Sequence, residues 1–512
     1  MVAGGSLPSG SDPQPRLRLL IDTNVFIAVE PYSGATEPKL IPAARLVRLV
    51  AENGHRLFVH PATVDDLAEG KDATRLAQQI AEFGKYSTLE ESPITETLIA
   101  KAGASPEGSN NHRDLRLLAA LHAHAANYLI TEDLGLTKRA RRAGLADAVL
   151  SIAEAVALLE SLLPREFEPP PQVERIAAYT LNPDQPIFTS LRSSYDGFDE
   201  WLAKVQADSD NRTCLIIRHG EDYAALGLLK DEPDCDYDFV QPVLKITTFK
   251  VGEDYSGAKY GELLLKAIFK IARHTHAATT YVEVFDQHSL LISLFEDFGF
   301  AQTEHRTSRG EFVLAKSFIP ANAEELSDLE YHRRFGPPAI RASRAFLVPI
   351  EPKWHEQLFP DSPLSKVYTA VQPTLPGMSQ RPHPWGNALR KAYLTKSGIR
   401  KLQPGDALLF YRSRDTSAVD AVGVVEDTLR SQDPGEILTF VGRRTVYTPS
   451  DIATMCRTGP PLAILFRQDR FIEPAWQVGE LNERKVVRGW PQSITEVSHE
   501  EGLEWVRSQL AE

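Results

Sequence analysis

Four aspartates in the first third of the chain stand where carboxylates can be brought together: Asp22, Asp66, Asp114 and Asp133. Asp22 follows the apolar run Leu19-Leu20-Ile21 and precedes Thr23-Asn24-Val25-Phe26-Ile27, so a buried strand rises to an acid and a helix begins. Asp133 stands in the same relation to Tyr128-Leu129-Ile130-Thr131. Asp66 lies in Thr63-Val64-Asp65-Asp66-Leu67, after the strand pattern Arg56–His60, and Asp114 opens the apolar helix pattern Leu115–Leu121. Singly, each acid reads as a helix cap, a turn residue or a solvated side chain. Gathered at one sheet edge, they would repel unless a divalent cation neutralised them. Oxygen ligands suit Mg²⁺ or Mn²⁺, and such an ion orients a water and stabilises charge on a phosphate. Lys138-Arg139-Ala140-Arg141-Arg142 follows the last acid and reads either as a solvated helix face or as a contact for RNA phosphates.

A second chemistry is written in the middle of the chain. A long strand pattern, Leu244–Val251, runs through the polar loop Gly252–Lys259 into the amphipathic helix Tyr260–Phe269, with Gly261 near the helix start. Unpaired amides at such a helix start can hold a diphosphate. The strand pattern Tyr281–Phe285 follows, and then Leu290–Phe298 reads as a helix ended by Gly299. Towards the end, basic residues (Arg390, Lys391, Lys396, Arg400, Lys401, Arg412, Arg443, Arg444) are interleaved with Trp385, Tyr393 and Tyr411. Cations for phosphates and rings for stacking suit single-stranded or looped RNA.

The elements that must position these groups fall into three globular segments, as a chain of 512 residues requires. The first, residues 16–163, follows a Pro/Gly-rich stretch over 1–15 that reads as a disordered leader. It ends at a Pro-rich linker, 164–176. The second spans 177–320, a polar linker covers 321–343, and the third spans 344–512. The first segment alternates strand and helix, which implies a mostly parallel α/β sheet. The last shows many short strands with Gly/Pro turns, which suggests a small barrel. The net charge of −13 argues against indiscriminate coating of nucleic acid by the whole molecule, but leaves room for a local basic groove. Three cysteines without zinc spacing make no disulfide framework and fit a reducing cytoplasm. No apolar run is long enough to span a membrane.

These phrases resemble three known families in succession. Ile21-Asp22-Thr23-Asn24-Val25-Phe26-Ile27, Val64-Asp65-Asp66-Leu67, Asn110-Asn111-His112-Arg113-Asp114-Leu115 and Tyr128-Leu129-Ile130-Thr131-Glu132-Asp133 together resemble the PIN domain. The resemblance implies a metal-dependent endoribonuclease with Asp22, Asp66, Asp114 and Asp133 as metal-binding and catalytic carboxylates. The family often has Glu where this chain has Asp66, and Asp65 stands beside it to share the role. Thr131 resembles the hydroxyl residue before the last acid, with Asn24 and Asn111 as supporting candidates.

Gly261-Glu262-Leu263-Leu264 and Phe298-Gly299-Phe300 resemble the GNAT acyltransferase fold, whose members bind acetyl-CoA between two splayed strands. That resemblance implies a coenzyme lined by Phe249, Val251, Lys259, Tyr260, Gly261 and Glu262. It departs from the family at two places. Ser256 and Lys259 stand where the diphosphate loop has Arg or Gln and then Gly. Phe295 stands where a Tyr often serves as general acid, leaving Tyr281, Ser289 or Ser293 as substitutes. Pro404-Gly405-Asp406-Ala407-Leu408-Leu409-Phe410-Tyr411 and Val422-Gly423-Val424-Val425-Glu426 resemble the ASCH and EVE group of PUA-like domains. That resemblance implies a β-barrel binding RNA through residues such as Arg390, Lys391, Arg412, Arg443 and Arg444.

The expectation is therefore a multidomain α/β and α+β chain: a PIN-like parallel sheet, a GNAT-like sheet and a PUA-like barrel. Its leading function is Mg²⁺- or Mn²⁺-dependent RNA cleavage. The rival is an N-acetyltransferase acting on an RNA-linked amine or a protein, using acetyl-CoA, with the flanking segments serving RNA recognition. Analogy of domains adds a bacterial toxin-like or stress-response role with an antitoxin-like partner, and leaves homo-oligomer formation open.

Overall fold

A computed structural model describes residues 15–31, 39–70, 72–163, 170–320, 323–365 and 384–511. The leader and the first part of the Pro-rich linker lie outside the described residues. Three sheets organise the rest. By its internal contacts the chain divides into two units. One contains the chain up to Ile152 together with Arg430–Gly442 and Tyr447–Pro461. The other contains Ala153–Leu429, Arg443–Val446 and the stretch from Leu462 onwards.

The first unit is built on five strands: β1 (Arg18–Ile21), β2 (Arg56–Val59), β3 (Ser87–Thr88), β4 (Tyr128–Ile130) and β5 (Val149–Leu150). Their order is β3-β2-β1-β4-β5, and every neighbouring pair is parallel. The parallel sheet expected from strand and helix alternation is present. β1 and β4 are buried along nearly their whole length, as strands covered on both faces must be. Leu115, Leu117, Leu118 and Leu121 of the Asn110–His122 helix pack with Leu20 and Leu129 in one core.

The second unit contains two sheets. The larger has seven strands: β6 (Val173–Ile176), β7 (Arg212–His219), β8 (Asp222–Asp231), β9 (Val243–Val251), β10 (Thr279–Val284), β11 (Ala301–Arg306) and β12 (Phe312–Ser317). In the order β11-β12-β10-β9-β8-β7-β6, only β9 and β10 run parallel. The Tyr260–His274 helix connects them and buries Leu263, Leu264, Ile268 and Phe269 against Ile246, Val282 and Val284. Phe295, the residue in place of the expected tyrosine, is fully buried with its ring 5.2 Å from Phe249 and 4.8 Å from Phe300. It is core.

The other sheet has six strands: β13 (Ala345–Ile350), β14 (Arg390–Thr395), β15 (Ala407–Arg412), β16 (Ala418–Arg430), β17 (Leu462–Gln477) and β18 (Thr495–Glu496). Their order, β14-β17-β16-β15-β13-β18, leaves β14 and β18 as edges. Among the described residues the sheet is open, which corrects the expectation of a closed barrel: no pairing joins the two edges.

Candidate functional site

The four aspartates meet at the carboxyl edge of the parallel sheet. β1 and β4 are neighbours, and the chain leaves them towards opposite ends of the sheet, the place where open α/β sheets put their sites. Asp22 follows β1 and caps the Thr23–Val29 helix; Asp133 follows β4 and caps Leu134–Ala143. Asp66 sits on the Pro61–Leu67 helix after β2, and Asp114 on Asn110–His122. Burial pushes the Asp22 carboxyl up to about 6; the Thr131 hydroxyl and the Thr23 amide oppose this, and the Asp133 and Asp66 charges add to it. Burial also raises Asp114 to about 6, with Asp133 and Asp22 as the next causes. The four acids therefore act on one another.

Three of the four, Asp22, Asp133 and Asp66, are nevertheless engaged by protein donors. Asp22 accepts from the Thr23 amide at 2.7 Å, the Asn24 side chain at 2.5 Å and the Thr131 hydroxyl at 2.7 Å. Asp133 accepts from the Leu136 amide at 2.9 Å. Asp66 lies 3.1 Å from the Arg113 guanidinium, and Asp65 is paired with Arg116. Among the described residues no group of three or more His, Cys, Asp or Glu side chains is arranged to hold a metal ion. The expected Mg²⁺ or Mn²⁺ site is without support among the described residues. In the basic stretch after Asp133, Arg139 is buried and donates to the Asn111 carbonyl and, at 2.8 Å, to the Ser105 hydroxyl.

The parallel pair in the seven-stranded sheet has a different character. β9 and β10 are paired from Val243/Thr279 to Ile246/Val282, after which β9 runs on to Val251 and β10 to Val284 without further pairing. At the same level the register of β8 against β9 shifts, skipping Thr247. The two strands therefore part, leaving a gap in their pairing ahead of the start of the Tyr260–His274 helix. The N-cap of that helix is Lys259, at φ 62°, whose side chain does not cap the helix amides. Of the six residues expected to line a coenzyme, Phe249 and Val251 are half-buried against the core, and Tyr260 packs on Tyr255. Gly261 lies against Phe249 and Leu294, where a Cβ would come 3.0 Å from Leu294. Glu262 is taken within the protein instead: its Oε2 accepts from the Leu389 amide at 2.8 Å and the Arg390 amide at 3.3 Å, and its Oε1 lies 3.5 Å from the Lys259 Nζ.

Of the expected substitutes for the missing tyrosine, Ser293 is half-buried within the Ser289–Asp297 helix, and the other two differ in their partners. Tyr281 is buried, and its hydroxyl donates to Glu232 at 3.4 Å. The Ser289 hydroxyl is buried and has no hydrogen-bond partner, just beyond the end of β10.

In the six-stranded sheet the expected RNA-binding cations are largely internal. Lys391 is fully buried and donates to the Leu358 and Gly386 carbonyls. Arg412 is fully buried against Glu356 and Asp415, and Arg444 is paired with Glu426. Arg390 faces Asp297 and Glu426, and Arg443 is bonded to Glu154. These contacts correct the expectation of a basic RNA surface built on them: a charged residue inside a sheet is there because buried partners neutralise it. Trp385 and Tyr393 are buried as well.

The open surface lies elsewhere. A cleft of about 630 Å³ is lined by Glu351, Lys396, Tyr411, Arg414, Ser417 and Trp490, among others. Trp490 is 62% exposed, whereas Tyr411 is 1% exposed and its hydroxyl has no partner. In the sequence Trp490 stands before Pro491 with no motif around it to mark a role.

Comparison with known proteins follows this division. The model of the Acetyltransferase (GNAT) family matches residues 175–300. No curated protein matches the chain. Among solved structures, the PaiA N-acetyltransferase from Thermoplasma acidophilum in complex with coenzyme A is 13% identical. The match covers 29% of this chain and 99% of that one, with a TM-score of 0.23. The IAA acetyltransferase from Bacillus cereus is 14% identical over 29% of this chain and 99% of its own, at 0.22. An ASCH protein from Zymomonas mobilis is 14% identical over 32% and 93%, also at 0.22. The chain contains a GNAT acetyltransferase domain, on the strength of the family match. No helix among the described residues is long and apolar enough to cross a membrane, and all three cysteines are free.

Proposed function

We propose that the chain is an N-acetyltransferase working through its seven-stranded domain, with an RNA-linked amine or a protein amine as acceptor. The observation that carries this is the parting of β9 from β10 ahead of the start of the Tyr260–His274 helix. Acetyl-CoA, when bound, would supply an acetyl thioester: the acceptor nitrogen gains the acetyl group, the carbon–sulfur bond breaks, and one proton passes from nitrogen to sulfur. The chain's part is to orient and to exclude water. Beyond Ile246 the edge of β9 turned to β10 has no strand partner, so its backbone N–H groups are available to a carbonyl oxygen. The Phe249, Phe295 and Phe300 cluster keeps the floor of the gap dry. Ser289, whose buried hydroxyl has no partner, gives the proton to sulfur in this reading.

Calorimetry of acetyl-CoA on the full chain tests the reading, together with thiol release in the presence of a tRNA pool or of polylysine. Binding and acceptor-dependent release are expected. Ser289→Ala lowers kcat by about 10²-fold and leaves coenzyme affinity unchanged. Absence of binding at millimolar coenzyme overturns the reading.

The cleft beside Tyr411 favours a second, non-catalytic role for the last segment. An exposed indole beside two cations and an unpartnered buried hydroxyl suits an unpaired RNA nucleotide: the base on Trp490, a phosphate near Lys396 and Arg414. Single-stranded RNA is expected to quench tryptophan fluorescence, and Trp490→Ala to weaken binding by about 1–3 kcal/mol. Equal binding by wild type and variant refutes this role.

A further inference from the structure

Three charged groups from distant parts of the chain converge at the start of the Tyr260–His274 helix. Lys259 caps that helix, and its Nζ lies 3.8 Å from Oε1 of Glu154. The same oxygen accepts from the Arg443 guanidinium at 2.5 Å. All three side chains are at most 20% exposed. The approach is fixed by the backbone as well as by charge. Gly257, at φ +86°, lies so close to the helix carrying Glu154 that a Cβ would come 2.9 Å from the Ala153 carbonyl oxygen. The Trp385 ring closes the other side, 5.3 Å from the Lys259 amine.

The placement is unusual for an ion pair of purely structural use. The first amides of a helix carry partial positive charge, and the Lys259 side chain does not cap them. Lys259 and Arg443 add two full positive charges. An anion is favoured there, and two of the chain's own carboxylates supply it: Glu262 of the helix's first turn, whose Oε1 lies 3.5 Å from the Lys259 Nζ, and Glu154, which alone of the two also meets Arg443. An acetyl coenzyme entering the gap between β9 and β10 would bring its diphosphate to this helix start. Glu154 and the diphosphate ask for the same donors.

We propose that Glu154 is a built-in stand-in for the coenzyme's diphosphate: it holds Lys259 and Arg443 in place while the site is empty, and the coenzyme binds by displacing it. Arg443 is then a coenzyme-binding residue supplied by the last segment, although it lies outside the residues matched by the family model. The proposal rests on the acetyltransferase reading and adds two residues to it, a competitor and a ligand.

Coenzyme A, which cannot be turned over, is the probe, and calorimetry on the full chain is the readout. Glu154→Gln keeps the shape and a hydrogen-bonding oxygen but removes the charge. It is expected to bind coenzyme A about tenfold tighter than wild type, and Arg443→Gln about tenfold weaker. Arg443→Gln placed on top of Glu154→Gln should cancel most of the gain. Thermal melts of each variant confirm that folded protein is compared. If wild type binds coenzyme A and Glu154→Gln binds it no tighter, the stand-in is refuted and the acetyltransferase reading survives. If Arg443→Gln leaves the affinity unchanged, Arg443 is not a ligand and the proposal falls. If neither wild type nor Glu154→Gln binds coenzyme A, both readings fall together.

Discussion

Asp114 shows what the aspartate cluster costs at the level of one residue. Its carboxyl is half-buried and held up at about 6 by burial and by the charges of Asp133 and Asp22, with only Arg139 opposing. A raised acid pKa means that the folded state holds the proton more tightly than the unfolded chain does. The penalty is therefore absent below the unfolded value near 4, grows as pH rises from 4 to 6, and is complete above 6. Asp114→Asn should raise the unfolding free energy by about 1–2 kcal/mol at pH 7.5, after allowance for partial exposure, and by nothing at pH 4. Urea unfolding of wild type and variant at the two pH values measures this, and an equal effect at both would refute it. The four acids were legible in the sequence because each ends a strand pattern or stands in or at the start of a helix pattern. The donors that engage three of them were not. Asn24 and Thr131 are near in sequence to one acid or another, but the Arg113–Asp66 pair depends on how two helices pack. The buried Lys391 and Arg412 make the same point. Local patterning places charge at the surface, and only the fold reveals the carbonyls and carboxylates that draw these two inside.

At the scale of elements, the alternation of strand and helix in the first segment and the β9–helix–β10 crossover in the second were readable from periodicity alone. The form of the last sheet was not. Short strands with Gly/Pro turns fit a barrel and an open sheet equally well, and the outcome turns on whether β14 meets β18, a long-range pairing that leaves no local mark. Nor did the sequence show that the Pro434–Val441 and Pro449–Arg457 helices belong with the first unit. Gly442 makes that attachment tight. It adopts φ +46°, and a Cβ there would run into the Asp147 carbonyl oxygen, a backbone atom that cannot yield as a side-chain tip can. The Tyr128 hydroxyl donates to the Gly442 carbonyl at 3.4 Å. Gly442→Ala should cost about 3 kcal/mol or more of first-unit stability, by strain at positive φ together with the clash. Chemical denaturation followed by hydrogen exchange in the β4 and β5 peptides reads it, and a change under about 1 kcal/mol would show that the turn can relax.

For the whole molecule, the division into units cuts across the order of the chain. The first unit takes its sheet from the beginning and two of its helices from beyond residue 429. Residues 16–163 made alone should therefore be incomplete, with faster amide exchange over Tyr128–Ile130 and Val149–Leu150 than in the full chain. Protection identical to that of the full chain would show that the added helices are dispensable.

The same arrangement has a consequence in time. Roughly 280 residues are synthesised between the end of the first sheet and the arrival of the helices that complete its unit, which at ribosomal speed is roughly 15–60 s. Throughout that interval the face around Tyr128 and Asp147 waits uncovered while the seven-stranded domain emerges and folds behind it. The newborn chain thus carries a window in which a chaperone or a slow stretch of message can decide its yield.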